Sequence, residues 1–232
     1  MSINQDNHCV IIAGATGLVG SRLLQHILQH DAIGTVYALS RRPPQVEHTG
    51  NGKVHLLLDP ELKITAWDES LPRPTIGFIC LGSTRKQAGS RAKLRQVDFE
   101  LVCHVAQSMK VLGVSKLAVV SSLGADAHSP FHYLKCKGQM ENALMQMEFE
   151  QLVIARPGPL LGAREQQRQD EKWLQCLMRP ITPLLRGRLH NWTPVSADTV
   201  AEAMLYRTFS HPHRKIEILH KLEMEQLLSQ FR

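Results

Sequence analysis

Apolar residues along this chain fall into two alternating patterns: short unbroken runs, and longer stretches in which they recur every third or fourth position. Val10-Ile11-Ile12-Ala13 is of the first kind and suits a strand buried on both faces, whereas Leu24, Ile27 and Leu28 are of the second and suit a helix. Along the whole chain, the pattern predicts strands over 8–13, 35–39, 54–58, 76–81, 117–120 and 151–155, and an alternating strand over 215–219. Val54-His55-Leu56-Leu57-Leu58 reads as buried. Helices are predicted over 16–29, over 97–112 on the stripe Leu101, Val105 and Met109, through Met140, Leu144 and Met147, around Val200 and Met204, and over 224–231. Strands separated by helices build a mainly parallel sheet with helices on both faces, so the expected fold is α/β and doubly wound.

Three glycines stand where the first strand gives way to the first helix, in Gly14-Ala15-Thr16-Gly17-Leu18-Val19-Gly20. A helix N-terminus offers free backbone N–H groups and the positive end of its dipole, so an anion bound there needs no charged side chain. Gly14 permits a tight turn, Gly17 lets backbone approach a pyrophosphate, and Gly20 lets the helix pack close to the sheet. Gly14, Ala15, Thr16, Gly17, Leu18 and Val19 are therefore candidate cofactor-binding residues. In a dinucleotide fold the end of the second strand meets the adenosine ribose, where an acid roughly 20 residues past the glycines selects NAD. Here that place reads Ser40-Arg41-Arg42, and a guanidinium grips a 2′-phosphate that a carboxylate would repel. Arg41 and Arg42 thus point to NADP. Asp59 suits either an adenine amino group or a turn. Leu81-Gly82-Ser83-Thr84 comes directly after the fourth strand, where a small residue leaves room for the cofactor to cross the strand end.

Composition narrows the partners. Hydrophobic residues are 43% and charged residues 21% of 232, ordinary for a globular protein. The net charge of +6 is spread along the chain and aromatics are only 5%, so small anionic ligands are expected and nucleic acid is not. No secretory signal is legible and no apolar run is long enough to cross a bilayer, so no membrane partner and a cytoplasmic location are expected. Five cysteines without a C-x-x-C pair suit reduced thiols. The basic run Arg85, Lys86, Arg91, Lys93 and Arg95 suits a solvated loop and helix start somewhat better than capture of an anionic substrate or of the cofactor's phosphates.

The fifth predicted strand ends in Ser121-Ser122-Leu123-Gly124-Ala125, and Ser129-Pro130 then signals a helix start. Tyr133 and Lys137 lie four residues apart on one face of that helix. An ammonium beside a phenol favours the phenolate and moves the tyrosine down from about 10. In a carbonyl reductase Tyr133 would donate a proton as hydride arrives, Lys137 would also hold the nicotinamide ribose, and a serine, Ser122 in preference to Ser121, would hydrogen-bond the substrate oxygen. No metal is expected: His128, His132 and Cys136 recur every four residues, but Pro130 starts the helix between the first two and no fourth ligand is at hand.

Together these motifs and Arg156-Pro157-Gly158 resemble the extended or atypical short-chain dehydrogenase/reductase superfamily. Phe131–Glu141 and Arg156–Glu165 are similar, more narrowly, to the family of the human Tat-interacting tumour-suppressor protein and its bacterial NAD(P)-binding relatives. The resemblance implies a Rossmann fold, NADPH in the cleft, a catalytic Ser122, Tyr133 and Lys137, and Pro157 and Gly158 presenting backbone groups to the carboxamide. Asp98 stands where many extended members have asparagine and is left out of the catalytic set. One domain over 1–232 is expected, with 159–232 contributing a small substrate-side cap that includes Trp173, Leu177 and Met178. The expected activity is reduction of an unidentified carbonyl with NADPH; the alternative is an NADPH-binding regulatory or interaction protein with little or no turnover. Either a monomer or a homodimer fits.

Overall fold

The computed structural model describes residues 7–43, 52–83, 89–161, 187–211 and 214–231. Val10 and Ile12 of β1 (His8–Ala13) enter one apolar core and Cys9, Ile11 and Ala13 the other, so alternate residues of one strand serve two layers. That is why its apolar run is unbroken. Around it lie β2 (Ile33–Ser40), β3 (Val54–Leu58), β4 (Ile76–Ile79), β5 (Lys116–Val120), β6 (Gln151–Ala155) and, from beyond the short parallel pair β7 (Leu160–Leu161) and β8 (Val195–Ser196), β9 (Ile216–Leu219). The seven-stranded sheet runs β3-β2-β1-β4-β5-β6-β9 with every pairing parallel. This is the expected Rossmann-like α/β arrangement.

One core holds α1 (Leu18–Gln29) through Val19, Leu23, Leu24 and Ile27, together with residues of two C-terminal helices. The opposite core holds the helical stretch that begins with α2 (Arg91–Arg95), passes through a π-helical turn at Gln96–Leu101 and continues as α3 (Val102–Leu112). Met140 and Leu144 of α4 (His132–Gln146) join that second core. The C-terminal helices α5 (Ala197–Phe209) and α6 (Lys221–Ser229) complete the first. The sheet reverses its winding between β1 and β4, which opens a crevice outside their carboxyl ends.

Several expectations shift. β3 is the edge strand rather than a buried one, with Leu56 and Leu58 41% and 54% exposed, because it has a sheet neighbour on one side only. Val105 and Met109 of the expected stripe are buried, and Val102 joins them, while Leu101, at the end of the π turn, packs against the same core but is only partly buried. α6 starts three residues early, at Lys221, where Glu223 accepts from the His220 N–H at 3.1 Å. The short connection at Pro44 and the cap residues 165–186, including Trp173, Leu177 and Met178, lie outside the described residues.

Candidate functional site

Sterics at the glycine turn show why each glycine is there. Gly14 has φ 89°, and a Cβ on it would stand 2.7 Å from the Cys80 carbonyl, which belongs to the chain leaving β4. A Cβ on Gly20 would stand 2.0 Å from the Gly14 oxygen, so Gly20 makes room for the turn itself rather than for the sheet. Gly17 donates to Gly14 O at 3.0 Å and caps α1 without any side-chain hydrogen bond, and no acid lies in the first helical turn. The positive helix end is therefore neither capped by its N-cap side chain nor neutralised by a first-turn acid.

Arg41 and Arg42 come directly after β2 and are exposed. Beside them the Ser40 hydroxyl is buried and has no hydrogen-bond partner among the described residues. Asp59 adopts the turn role: its carboxylate accepts from the N–H groups of Glu61 and Lys63 at 2.8 and 2.9 Å, and the Lys63 bond leads the causes that hold it below the usual carboxylate range. Leu81 and Ser83 are half-buried and Gly82 is exposed. Thr84, Arg85 and Lys86 lie outside the described residues. Arg95 is taken up by Glu100, Gln139 and the face of Phe99, while Arg91 and Lys93 are exposed.

The other end of the crevice is built from buried charges. α4 begins at His132, two residues beyond Pro130, because the Ser129 hydroxyl accepts from the Phe131 N–H in a turn ahead of the helix. Tyr133 is half-buried and within electrostatic reach of Lys137, which is 2% exposed. The Lys137 ammonium lies 3.0 Å from Asp98 Oδ1 and donates to Val120 O at 3.3 Å. Burial pulls the lysine down, but Tyr133, Asp98 and Glu141 together outweigh it and hold the ammonium above its ordinary range. Asp98, fully buried in the π turn, accepts through Oδ2 from the Ser83 N–H at 3.0 Å. A Cβ on Gly82 would stand 3.3 Å from Asp98 and 3.5 Å from Lys137, so the pair lies directly beneath that glycine.

Asp98 is the residue that sequence reasoning passes over. Its signal is present: it stands four residues after Leu94 and four before Val102, both buried, so an acid occupies the apolar face of a helix.

Ser121 and Ser122 separate cleanly. Ser121 is buried and donates to Glu141, which also receives Arg156 through Nε at 3.0 and 3.2 Å and through its terminal nitrogen. Ser122 is half-buried, and its hydroxyl meets the neighbouring Leu123 carbonyl at 3.3 Å. Gly138 lets α4 approach the preceding loop, since a Cβ there would stand 2.2 Å from Asp126 and Ala127 backbone. Pro157 O accepts from Leu123 N–H at 2.9 Å, and a Cβ on Gly158 would stand 2.7 Å from Asn191 O. A separate open groove of about 570 Å³ between α1 and α5, lined by Arg22, Gln25 and Asp198 among others, shares only Leu18 with the expected cofactor set.

Comparison with known proteins places this chain. A family model described as HIM1 matches residues 75–183. The protein named FMP52, mitochondrial, of Eremothecium gossypii is 31% identical over 224 residues, covering 95% of this chain and 97% of that protein. The chain belongs to the FMP52 family. The mitochondrial FMP52 of Saccharomyces cerevisiae is 33% identical over 162 residues, 67% of this chain and 68% of that protein. Those names overturn the cytoplasmic expectation, which rested on the lack of a secretory signal and of an apolar span; mitochondrial targeting segments are amphipathic and carry neither. Among solved structures, MoeE5 in complex with UDP-glucose and NAD superposes with a TM-score of 0.64 at 16% identity, over 91% of this chain and 75% of that one. The UDP-N-acetylglucosamine 4-epimerase of Methanobrevibacter ruminantium M1, in complex with UDP-N-acetylmuramic acid, gives 0.66 at 12% identity, over 93% and 77%. At such identities the likeness is one of fold, and that fold is the Rossmann-like sheet of this FMP52-family chain.

Proposed function

We propose that this chain binds a nicotinamide dinucleotide, NADPH in preference to NADH, across the carboxyl ends of β1 and β4, and reduces a small carbonyl compound. The observation that carries the reading is the meeting, at the carboxyl ends of the strands, of a glycine turn without a side-chain cap and a Tyr133–Lys137 face whose lysine lies beneath Gly82. The residues present fit such a cofactor: Gly14 to Val19 offer N–H groups for a pyrophosphate, and the partnerless Ser40 hydroxyl with exposed Arg41 and Arg42 suits a ribose 2′-phosphate. Leu81, Gly82, Ser83, Thr84, Pro157 and Gly158 belong to the same proposed cradle. When bound, the nicotinamide supplies hydride.

The chain's own groups do the rest. Ser122 and Tyr133 hydroxyls hold the carbonyl oxygen, Tyr133 transfers its proton there, and Lys137, ion-paired with Asp98 and donating to Val120 O, offers a further N–H to a ribose hydroxyl. Of residues 159–232, α5, β9 and α6 build the sheet and its first core, so a substrate-side role falls to the stretch ahead of α5. The MoeE5 complex with NAD supports a dinucleotide in this fold, and the narrower likeness to the Tat-interacting tumour-suppressor family stays within this proposal. A second reading, binding with little turnover, is favoured by one feature: the Lys137 charge is already met by Asp98, which leaves less of it for the phenol. A panel of small aldehydes and ketones, assayed by NADPH oxidation with Tyr133→Phe as control, separates them. Turnover lost in the variant supports the reductase; tight NADPH binding without oxidation of any panel member supports the second reading.

A further inference from the structure

The buried acid beneath Gly82 has a task of its own. Asp98 reaches Lys137 with one oxygen and the Ser83 N–H with the other, so a single carboxylate ties α4 to the chain leaving β4. Asp98 lies inside the π turn, fully buried on the inward face of the helix. We propose that Asp98 is a positioning residue: it keeps Lys137 charged and aimed at the dinucleotide, so that cofactor affinity stays level as pH rises. The inference rests on the dinucleotide reading above.

The electrostatics are set by the groups around the ammonium. Asp98 faces it from the π turn, Tyr133 and Glu141 from its own helix, and Cys80 from the end of β4; Cys136 is a further neighbour on α4. Glu141 is bound by Arg156 and Ser121, and burial keeps both cysteine thiols protonated, Cys80 being pushed up to about 12. Asp98 is thus the one carboxylate in contact with Lys137 among the described residues. Without it, a lysine this buried sheds its proton rather than stay charged.

The test is NADPH affinity, measured by quenching of tryptophan fluorescence from pH 7 to pH 9 on the full chain, for wild type, Asp98→Ala and Asp98→Asn. The wild type is expected to bind with a level profile. In Asp98→Ala the affinity is expected to fall by about tenfold across that range, and in Asp98→Asn, which keeps a neutral acceptor, by less. Adding Lys137→Met to Asp98→Asn must flatten the profile at a low affinity, which assigns the slope to the lysine. A merely structural aspartate would lower the melting temperature but leave every profile level. Folded Asp98→Ala binding NADPH with a level profile overturns the inference; should that variant fail to fold, a level profile in Asp98→Asn does so instead. A wild type that binds neither NADPH nor NADH overturns the dinucleotide reading, and this inference with it.

Discussion

The two ends of the crevice solve opposite problems. At the glycine turn the chain keeps side chains away: the cap of α1 is a bare glycine, and the cationic residues nearby, Arg41 and Arg42, stand exposed. At the Tyr133 end it brings charge inside and matches every one, Lys137 to Asp98 and Arg156 to Glu141. Phosphate recognition through backbone needs close approach, whereas proton chemistry needs charged groups fixed in a dry setting before the substrate arrives. The first end is therefore sensitive to added atoms and the second to lost partners.

The largest effect is expected where an atom is added. Gly20→Ala places a methyl 2.0 Å from the Gly14 oxygen, an overlap that only movement of the turn can relieve. It should cost about 3 kcal/mol or more in a denaturant melt and remove dinucleotide binding. Glu141→Gln tests the other end by taking a partner away. Arg156 keeps some contact with water, so the loss is expected nearer the lower end of the range for broken buried pairs, about 3 kcal/mol, again by denaturant melt. If Glu141→Gln proved harmless while Gly20→Ala did not, the matched-charge description of the Tyr133 end would fail.

Arg41→Ala sharpens the comparison at the glycine-turn end. It should weaken NADPH about tenfold or more and NADH little, measured by calorimetric titration, because it removes charge-assisted bonds only a 2′-phosphate can accept. Equal losses would detach Arg41 from cofactor choice. The smallest effect is one of pH. Burial pushes the thiols of Cys9 and Cys103 up to about 11 and the Tyr37 hydroxyl up to about 12, so the native state binds more protons than the unfolded chain above about pH 9. Lys137, held above its ordinary range, acts with the same sign. Stability should be level from about pH 7 to about pH 9 and decline through pH 11, and a thermal-melt series checks it.

Much of this is legible in the residues because it is local. The unbroken apolar runs locate β1, β5 and β6 within a residue, and a strand, a glycine turn and a helix in succession place a helix N-terminus at the carboxyl end of the strand. The features that escape depend on partners distant in the chain. Nothing local distinguishes Val54–Leu58 as an edge strand, since its hydrophobic run resembles those of central strands. Asp98 is easily passed over because its worth lies in a contact with Lys137, 39 residues on, and in a π turn that no spacing announces. The difference between Ser121 and Ser122 emerges only when Glu141, itself held by Arg156, is seen to accept from the first serine. The Asp59 alternatives are resolved by two backbone bonds a few residues away.

The central claim is that the two ends belong to one dinucleotide cleft. Native mass spectrometry of the freshly purified chain, with subsequent titration by NADPH and by NADH, tests it most directly. The expected result is a bound species of dinucleotide mass, or saturable binding of NADPH tighter than that of NADH, abolished by Gly20→Ala. Absence of binding by either nucleotide to the folded wild-type chain would contradict it.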